Sequence, residues 1–450
     1  MADQATRQLS EYIHSVSFPR LAAETVRETK RHIIDSVGCA IGGFSAPPSI
    51  IARRMAERTQ GHLKAGVLGE QWKTSPELAA FANGVMTRYL DFNDTYPGGH
   101  PSDGLGALQG LADALGSTGK ELLVSVYLLY EIFGSLNDPL QLRERGWDQG
   151  TFLSLAVACA AGKLLDLSPE ALNNAIAIAA SDSPTTRQTR AGELTQWKAC
   201  AAPNAARNGL FAALLAKEGM TGPTLPFEGR HGLWEQVTGP FRFHLAAPEE
   251  PSAVIGRTWY KYFPIEHNAQ SAATLAQQLQ PRLVLSDVES VAIDTYWVAY
   301  SEIGAEPEKW TPKTRETADH SMPYIVATVL TYGNIYLHHF EESAIQDPEI
   351  RNLMAKITVR EDKEYSSVYP AKLATRMKIA TRTGPGPSGE VLYPKGHPQN
   401  PLTDAELEEK FRSLSEGRLA PGPLDELLRF LWNLESEAGV APLFNLARQN

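Results

Sequence analysis

Cysteine is scarce: Cys39, Cys159 and Cys200 are the only three in the 450-residue chain. No two of them form a Cys-x-x-Cys pair. An odd number at wide spacing argues against a disulfide framework, and too few thiols stand close enough for an iron–sulfur cluster. This usage suits a reducing compartment. Long basic runs are also missing, and the net charge is −10. Nucleic acid is therefore not an expected partner. No apolar run approaches the roughly 20 residues of a membrane-spanning helix. Met1-Ala2-Asp3-Gln4 does not begin a leader of basic and then apolar residues. The expectation is a cytoplasmic protein with no membrane partner. Gly104-Leu105-Gly106 has no strand ahead of it, and no P-loop occurs, so nucleotide binding is unsupported. Gly-x-Ser-x-Gly is absent, which leaves a hydrolase elbow without support. His338-His339 lacks metal-ligand spacing, and no metal or other cofactor is expected. No segment repeats another.

What is present is an ordinary globular composition, 43% hydrophobic and 21% charged, with length for about two domains. Apolar residues recur at helical spacing from Leu21 to Ile41, where Val26, Ile33, Ile34 and Val37 share a face. Ile50 to Gln60, Ser75 to Arg88, Leu105 to Leu115 and Glu121 to Leu136 follow the same period. Ala- and Leu-rich helices are expected at 150–165 and 168–180, and another from Pro203 to Lys217. The many small residues imply close helix–helix contact. Near residue 250 the pattern changes. Lys356 to Glu361 and Thr375 to Arg382 alternate with period two, as half-exposed strands do, and Val288 to Tyr296 has strand composition. Gly384 to Gly389 is expected to turn the chain toward Val391-Leu392-Tyr393. Helices at 268–280 and 317–332 would cover one face of this sheet. From Thr403 the chain is helical again, with Glu406 completing a capping box. The fold class is thus mainly α. A large all-helical domain is expected from residues 1–251 and 399–450, and a smaller α+β domain from 252–398.

Five stretches carry chemistry. Tyr89 to Asp103 packs Asp91, Asp94, Asp103, Thr95, Ser102 and His100 around Pro97-Gly98-Gly99. Acids, hydroxyls and a histidine on a tight turn between helices are what proton transfer needs, although a capped turn uses the same residues. Ser181 to Ala201 holds Asp182, Arg187, Arg190 and Lys198 just before the helix start expected at Pro203. Such cations can hold carboxylates, and a solvated loop also contains them. Trp259 to His267 supplies four aromatics with Lys261 and His267, which suits either a cleft wall or a packed hinge. Tyr296 to Tyr300 ends a strand. Glu316 to Tyr324 places Asp319 and His320 before a buried helix, as a catalytic pair or as a helix cap.

Taken together, these stretches resemble the MmgE/PrpD family. The carriers are Leu90-Asp91-Phe92-Asn93-Asp94-Thr95 with His100-Pro101-Ser102-Asp103, then Lys198 to Gly209, Lys261-Tyr262-Phe263-Pro264, and Glu316 to Tyr324. The resemblance covers nearly the whole chain. It implies a helical domain built from both chain ends and a smaller lid, with the active site between them. Asp91, Thr95, His100 and Lys198 would stand on the helical side, and Tyr300 on the lid matches a family tyrosine that acts as acid or base. The decarboxylase branch of the family has two further histidines, which would fall at Asp148 and Gln270; this chain lacks both. The implied activity is a cofactor-free hydro-lyase on a small hydroxy di- or tricarboxylate such as 2-methylcitrate. His100 would remove the proton, and Asp91 would orient His100 or hold Thr95. Tyr300 would protonate the departing hydroxyl. Lys198, Arg187 and Arg190 would bind carboxylates, with Ser102, Lys261 and His267 nearby. A decarboxylase, an epimerase or a non-catalytic binding protein are the rival expectations. The resemblance also implies a homodimer.

Overall fold

The computed structural model describes residues 2–59, 61–140 and 142–449. Helix accounts for 59% of it and strand for 9%, so the fold is mainly α. Helices at Ala23–Gly43, Pro47–Glu57, Pro76–Tyr89, Leu105–Leu115, Gly119–Asn137, Gly150–Leu164 and Pro169–Asp182 lie within a few residues of the periodic segments. Thr403 and Glu406 form the reciprocal capping box expected of them, and Thr118 and Glu121 form another.

Small residues set the helix spacing. A Cβ on Gly209 would lie 2.1 Å from the Ser154 carbonyl oxygen, so only glycine lets the Trp197–Lys217 helix press onto the Gly150–Leu164 helix. Gly38 and Gly42 do the same for the Asp404–Ser415 helix, whose Phe411 and Leu414 fill the space above them. As a result, one hydrophobic core contains residues from Ala5 to Tyr260 together with Leu402 to Ala447.

A second core, from Trp259 to Val391, forms around a four-stranded sheet. Val288–Thr295 lies inside it, parallel to Ile357–Glu361 and antiparallel to Thr375–Thr381. Gly384–Val391 pairs with Thr375–Thr381 and forms one edge. Met377 and Ile379 point into the core while Lys378 between them is exposed, the alternation that marked the segment in the sequence. The helices Gln270–Leu279 and Met322–Tyr332 pack against this sheet.

Two expectations are corrected. Gly384 to Gly389 is itself a strand, and the chain turns at Arg382-Thr383 instead. Pro385 and Pro387 lack an N–H to donate, but an edge strand with a register shift tolerates that. The second correction concerns the helix expected to open at Pro203. It begins at Trp197, and Pro203 lies inside it against Gly84, where an added Cβ would be 2.8 Å from the proline ring. Lys198 is therefore in the first turn of a helix, not in a loop.

Candidate active site

The first wall of the site is the turn after the Pro76–Tyr89 helix. Asp91 leaves that helix with φ 50°, a left-handed conformation that an aspartate tolerates better than most residues. Gly98 and Gly99 are needed by close approach: a Cβ on either would overlap Asn137 or Gln149. The turn is pinned from outside as well. Thr95 and Trp259 exchange backbone hydrogen bonds of 2.9 and 2.8 Å. From the C-terminal helix, the Lys410 ammonium donates to the carbonyls of Phe92 and Lys261, at 2.7 and 3.0 Å, and pairs with Asp35 at 2.6 Å.

Asp91 is the electrostatic centre. Its carboxylate meets Arg88, Lys261 at 2.7 Å and Lys198 at 3.4 Å. Burial alone would raise its pKa. The charges of Arg88, Lys198 and Lys261 overcome that and hold it well below the usual carboxylate range. It is a permanent anion, which makes it unsuited to act as a base.

No hydrogen bond joins Asp91 to His100 that would orient the ring; the ring's partner is the backbone instead. The His100 Nδ1 lies 2.6 Å from the Asp94 carbonyl oxygen. A carbonyl can only accept, so Nδ1 carries the proton and Nε2 is free to act as a base. Burial, and then the charges of Arg88 and Lys261, lower the His100 pKa well below its ordinary value, so the ring is neutral near pH 7. Gln149 ties this ring to its surroundings: its Oε1 accepts the His100 backbone N–H at 2.6 Å, and its Nε2 donates to Asp103 at 2.8 Å.

The opposite wall supplies a second histidine. His320 Nδ1 lies 2.6 Å from the Asp319 carboxylate and 3.2 Å from Lys198 Nζ. A carboxylate acceptor again places the proton on Nδ1 and leaves Nε2 free. Burial and the Lys198 charge lower the His320 pKa. Asp91, Asp319 and His320 bring ligand-type atoms within 4.8 Å of one another, a spacing a metal ion could use. An ammonium already stands among them: Lys198 Nζ donates to Asp91 at 3.4 Å and to Asp319 at 3.0 Å, and it lies 3.2 Å from the protonated His320 Nδ1 without a hydrogen bond to it. The lysine supplies the positive charge that an ion would bring.

Between these walls is a cavity of about 40 Å³, lined among others by Asp91, His100, Lys261 and His320. Arg88, Arg143, Arg187 and Arg190 also line it, so cations outnumber the acids Asp91, Asp148, Glu266 and Glu302 by five to four. Arg190 grips Asp148 at 2.6 and 3.3 Å, and Arg187 pairs with Glu302. Burial alone would raise Asp148, but Arg190, Arg187 and Arg143 hold its pKa below the ordinary value. Burial lowers Lys261, which Asp91 only partly offsets. Two Lys261 protons are committed to Asp91, at 2.7 Å to Oδ1 and 2.8 Å to the carbonyl. One ammonium proton remains for a ligand. A larger groove of about 740 Å³ near Gln4, Trp234 and Phe241 holds Glu228 and Arg242 as its only charged residues, and no comparable cluster.

Of the residues singled out from sequence, Asp91, His100, Arg187, Arg190 and Lys261 meet in this cavity. Lys198 stands just behind it. Thr95, Ser102, His267 and Tyr300 do not line it. Thr95 hydrogen bonds toward Gly99, and Ser102 accepts from Asn93 at 2.7 Å. His267 lies edge-on to Trp259, at 5.2 Å between rings. Tyr300 packs on Trp297 and against the second core. Of the two positions where the decarboxylase histidines would fall, Asp148 faces the cavity. Gln270 instead spends its amide on the backbone of Phe263, at 2.9 and 3.1 Å. Sequence reasoning passed over Arg88, Arg143, Glu266 and Glu302. Arg88 had a signal, an i,i+3 spacing to Asp91 at a helix end.

The family model for the MmgE/PrpD N-terminal domain matches residues 7–246, and that for the C-terminal domain matches residues 263–435. The chain belongs to the MmgE/PrpD family. Similar proteins within it include a cis-aconitate decarboxylase of Homo sapiens, 26% identical over 100% of this chain and 95% of the relative. A 2-methylcitrate dehydratase of Cupriavidus necator is 28% identical over 93% of this chain and 91% of the relative. One of Salmonella typhimurium is 27% identical over 90% and 89%. No helix among the described residues is long and apolar enough to cross a membrane.

Proposed function

We propose that this MmgE/PrpD protein is a hydro-lyase that removes water from a small hydroxy di- or tricarboxylate, such as 2-methylcitrate, after abstracting a proton next to a carboxylate. The chain is a lyase, as are the relatives named above. The observation that carries the dehydratase reading is the pairing, in one arginine-rich cavity, of neutral imidazoles with a lysine whose pKa is lowered. Arg143, Arg187 and Arg190 would bind carboxylates and stabilise the enolate-like charge that follows proton loss. His100 and His320 are the two groups with a free Nε2. The Asp319 carboxylate on its Nδ1 would stabilise the imidazolium form and favours His320 as the base. The C–H electron pair forms the double bond as the C–O bond breaks. The remaining Lys261 proton goes to the departing hydroxyl, which leaves as water. Lys261 thus takes the acid role that the family resemblance gave to Tyr300.

Room for about one carboxylate is all that 40 Å³ offers. Residues 252–398, which carry Glu302 and His320, would act as a lid that moves to admit substrate. Dehydration is read as the ultraviolet absorbance of the unsaturated acid across a panel of hydroxy-tricarboxylates. His320→Ala and His100→Ala should each lower turnover by about 10²- to 10⁴-fold without unfolding. Carbon dioxide release without an absorbing product would favour a decarboxylase instead. Wild-type protein inactive on every member would refute the proposal.

A further inference from the structure

We infer that the site continues outward into a second subsite, which takes an apolar substituent on the carboxylate substrate. The inference rests on the lyase reading and adds a substrate class to it. The 40 Å³ inner cavity shares Gly98, Arg143, Gln149, Arg187 and Glu302 with an outer cavity of about 500 Å³. The two differ in chemistry. Ionised groups dominate the inner one. The outer one also has Asp138, Glu144 and Arg257 in its lining, but adds an apolar surface that the inner one lacks: Leu140, Leu142 and Trp147 from the first core side, and Trp297, Val298 and Tyr369 from the second. Trp297 remains 53% exposed at the mouth. An indole left in water beside a cavity is surface that a bound apolar group would cover.

The occupant is part of the substrate rather than a separate ligand, because the two cavities share a floor. Arg143 stands on that floor, and its guanidinium has no ion-pair or hydrogen-bond partner among the described residues. A carboxylate anchored by Arg143 fills the inner cavity and directs the rest of the molecule past the Arg187–Glu302 pair. The walls come from both cores, so closure would hold the substituent between Trp147 and Trp297. The class is a hydroxy di- or tricarboxylate bearing an alkyl or aryl group larger than methyl.

The test uses the full chain and 2-substituted succinates carrying hydrogen, methyl, propyl or benzyl groups. Affinity is measured by calorimetry and by quenching of tryptophan fluorescence, and dehydration of the matching hydroxy acids is followed in parallel. Affinity should rise about fourfold per methylene covered, with quenching that grows along the series. Trp297→Ala, at an exposed position that should not affect folding, should flatten the rise. Affinity that stays level or falls with substituent size overturns the subsite, as does an unchanged rise in Trp297→Ala. Rising affinity with no turnover keeps the subsite and removes the lyase reading. Turnover of the short acids with level affinity does the reverse. No binding and no turnover removes both.

Discussion

Replacing Lys198 with methionine should move the acid limb of the pH–rate profile upward. Lys198 Nζ lies 3.2 Å from His320 Nδ1, and its charge helps to keep that ring neutral. At this distance a unit charge acts on the imidazolium with about 1.3 kcal/mol in a water-like dielectric and about 5 kcal/mol at an effective dielectric near 20. One pH unit corresponds to about 1.4 kcal/mol. Without the ammonium that repulsion is lost, and the His320 pKa should rise. Asp319, at 2.6 Å, is then the nearest charge and acts in the same direction. Turnover near pH 7 falls because the base is protonated, and it recovers as the pH is raised. The assay is kcat/KM across the range in which histidine titrates, with the His320 ring followed by NMR. Removing one partner from this buried cluster also costs about 3–5 kcal/mol of stability. Lys198→Gln, which is neutral and polar, is therefore measured beside it. An acid limb that stays in place, or moves down, in folded protein of both variants would refute the reasoning.

His100, His267 and His320 all have pKa values lowered first by burial. The unfolded chain takes up their protons below about pH 6.5, while the folded chain does not, so stability should decline on acidification from there. The slope should approach about 4 kcal/mol per pH unit for the three together, read from urea midpoints; stability that is level below pH 6.5 would contradict it. Gly209→Ala should destabilise despite alanine's better helix propensity, because its Cβ would sit 2.1 Å from the Ser154 carbonyl. The expected loss is about 1–3 kcal/mol by chemical denaturation. Arg190→Ala should cost about 3–5 kcal/mol, since it leaves the buried Asp148 carboxylate without the arginine that grips it.

Most of the long helices and three strands of the four-stranded sheet were legible in the sequence, because their apolar residues recur at a period that local geometry dictates; the short helices at Trp297–Ile303, Pro348–Met354 and Lys363–Val368 are too brief to show one. Gly384 to Gly389 misled because Gly and Pro signal a turn unless the strand lies at an edge, and edge position is a property of the sheet. Trp197 to Pro203 misled for a related reason. An internal proline usually marks a helix boundary, and here packing against Gly84 accommodates it.

The site divides in the same way. By itself the sequence determined the mainly helical fold, the membership of its family, and the presence of Asp91, His100, Arg187, Arg190 and Lys261 as chemically competent groups. Only the tertiary structure decided their surroundings. It made Asp91 a fixed anion by adding Lys198 and Lys261 from distant segments to the neighbouring Arg88, and it placed the Lys198 ammonium between Asp91, Asp319 and His320. It also set Tyr300 outside the cavity and brought Arg143 and Glu302 into it. A side chain's type fixes which proton it can carry. Its charge state and its neighbours depend on burial and on contacts across the chain, and no local pattern encodes those.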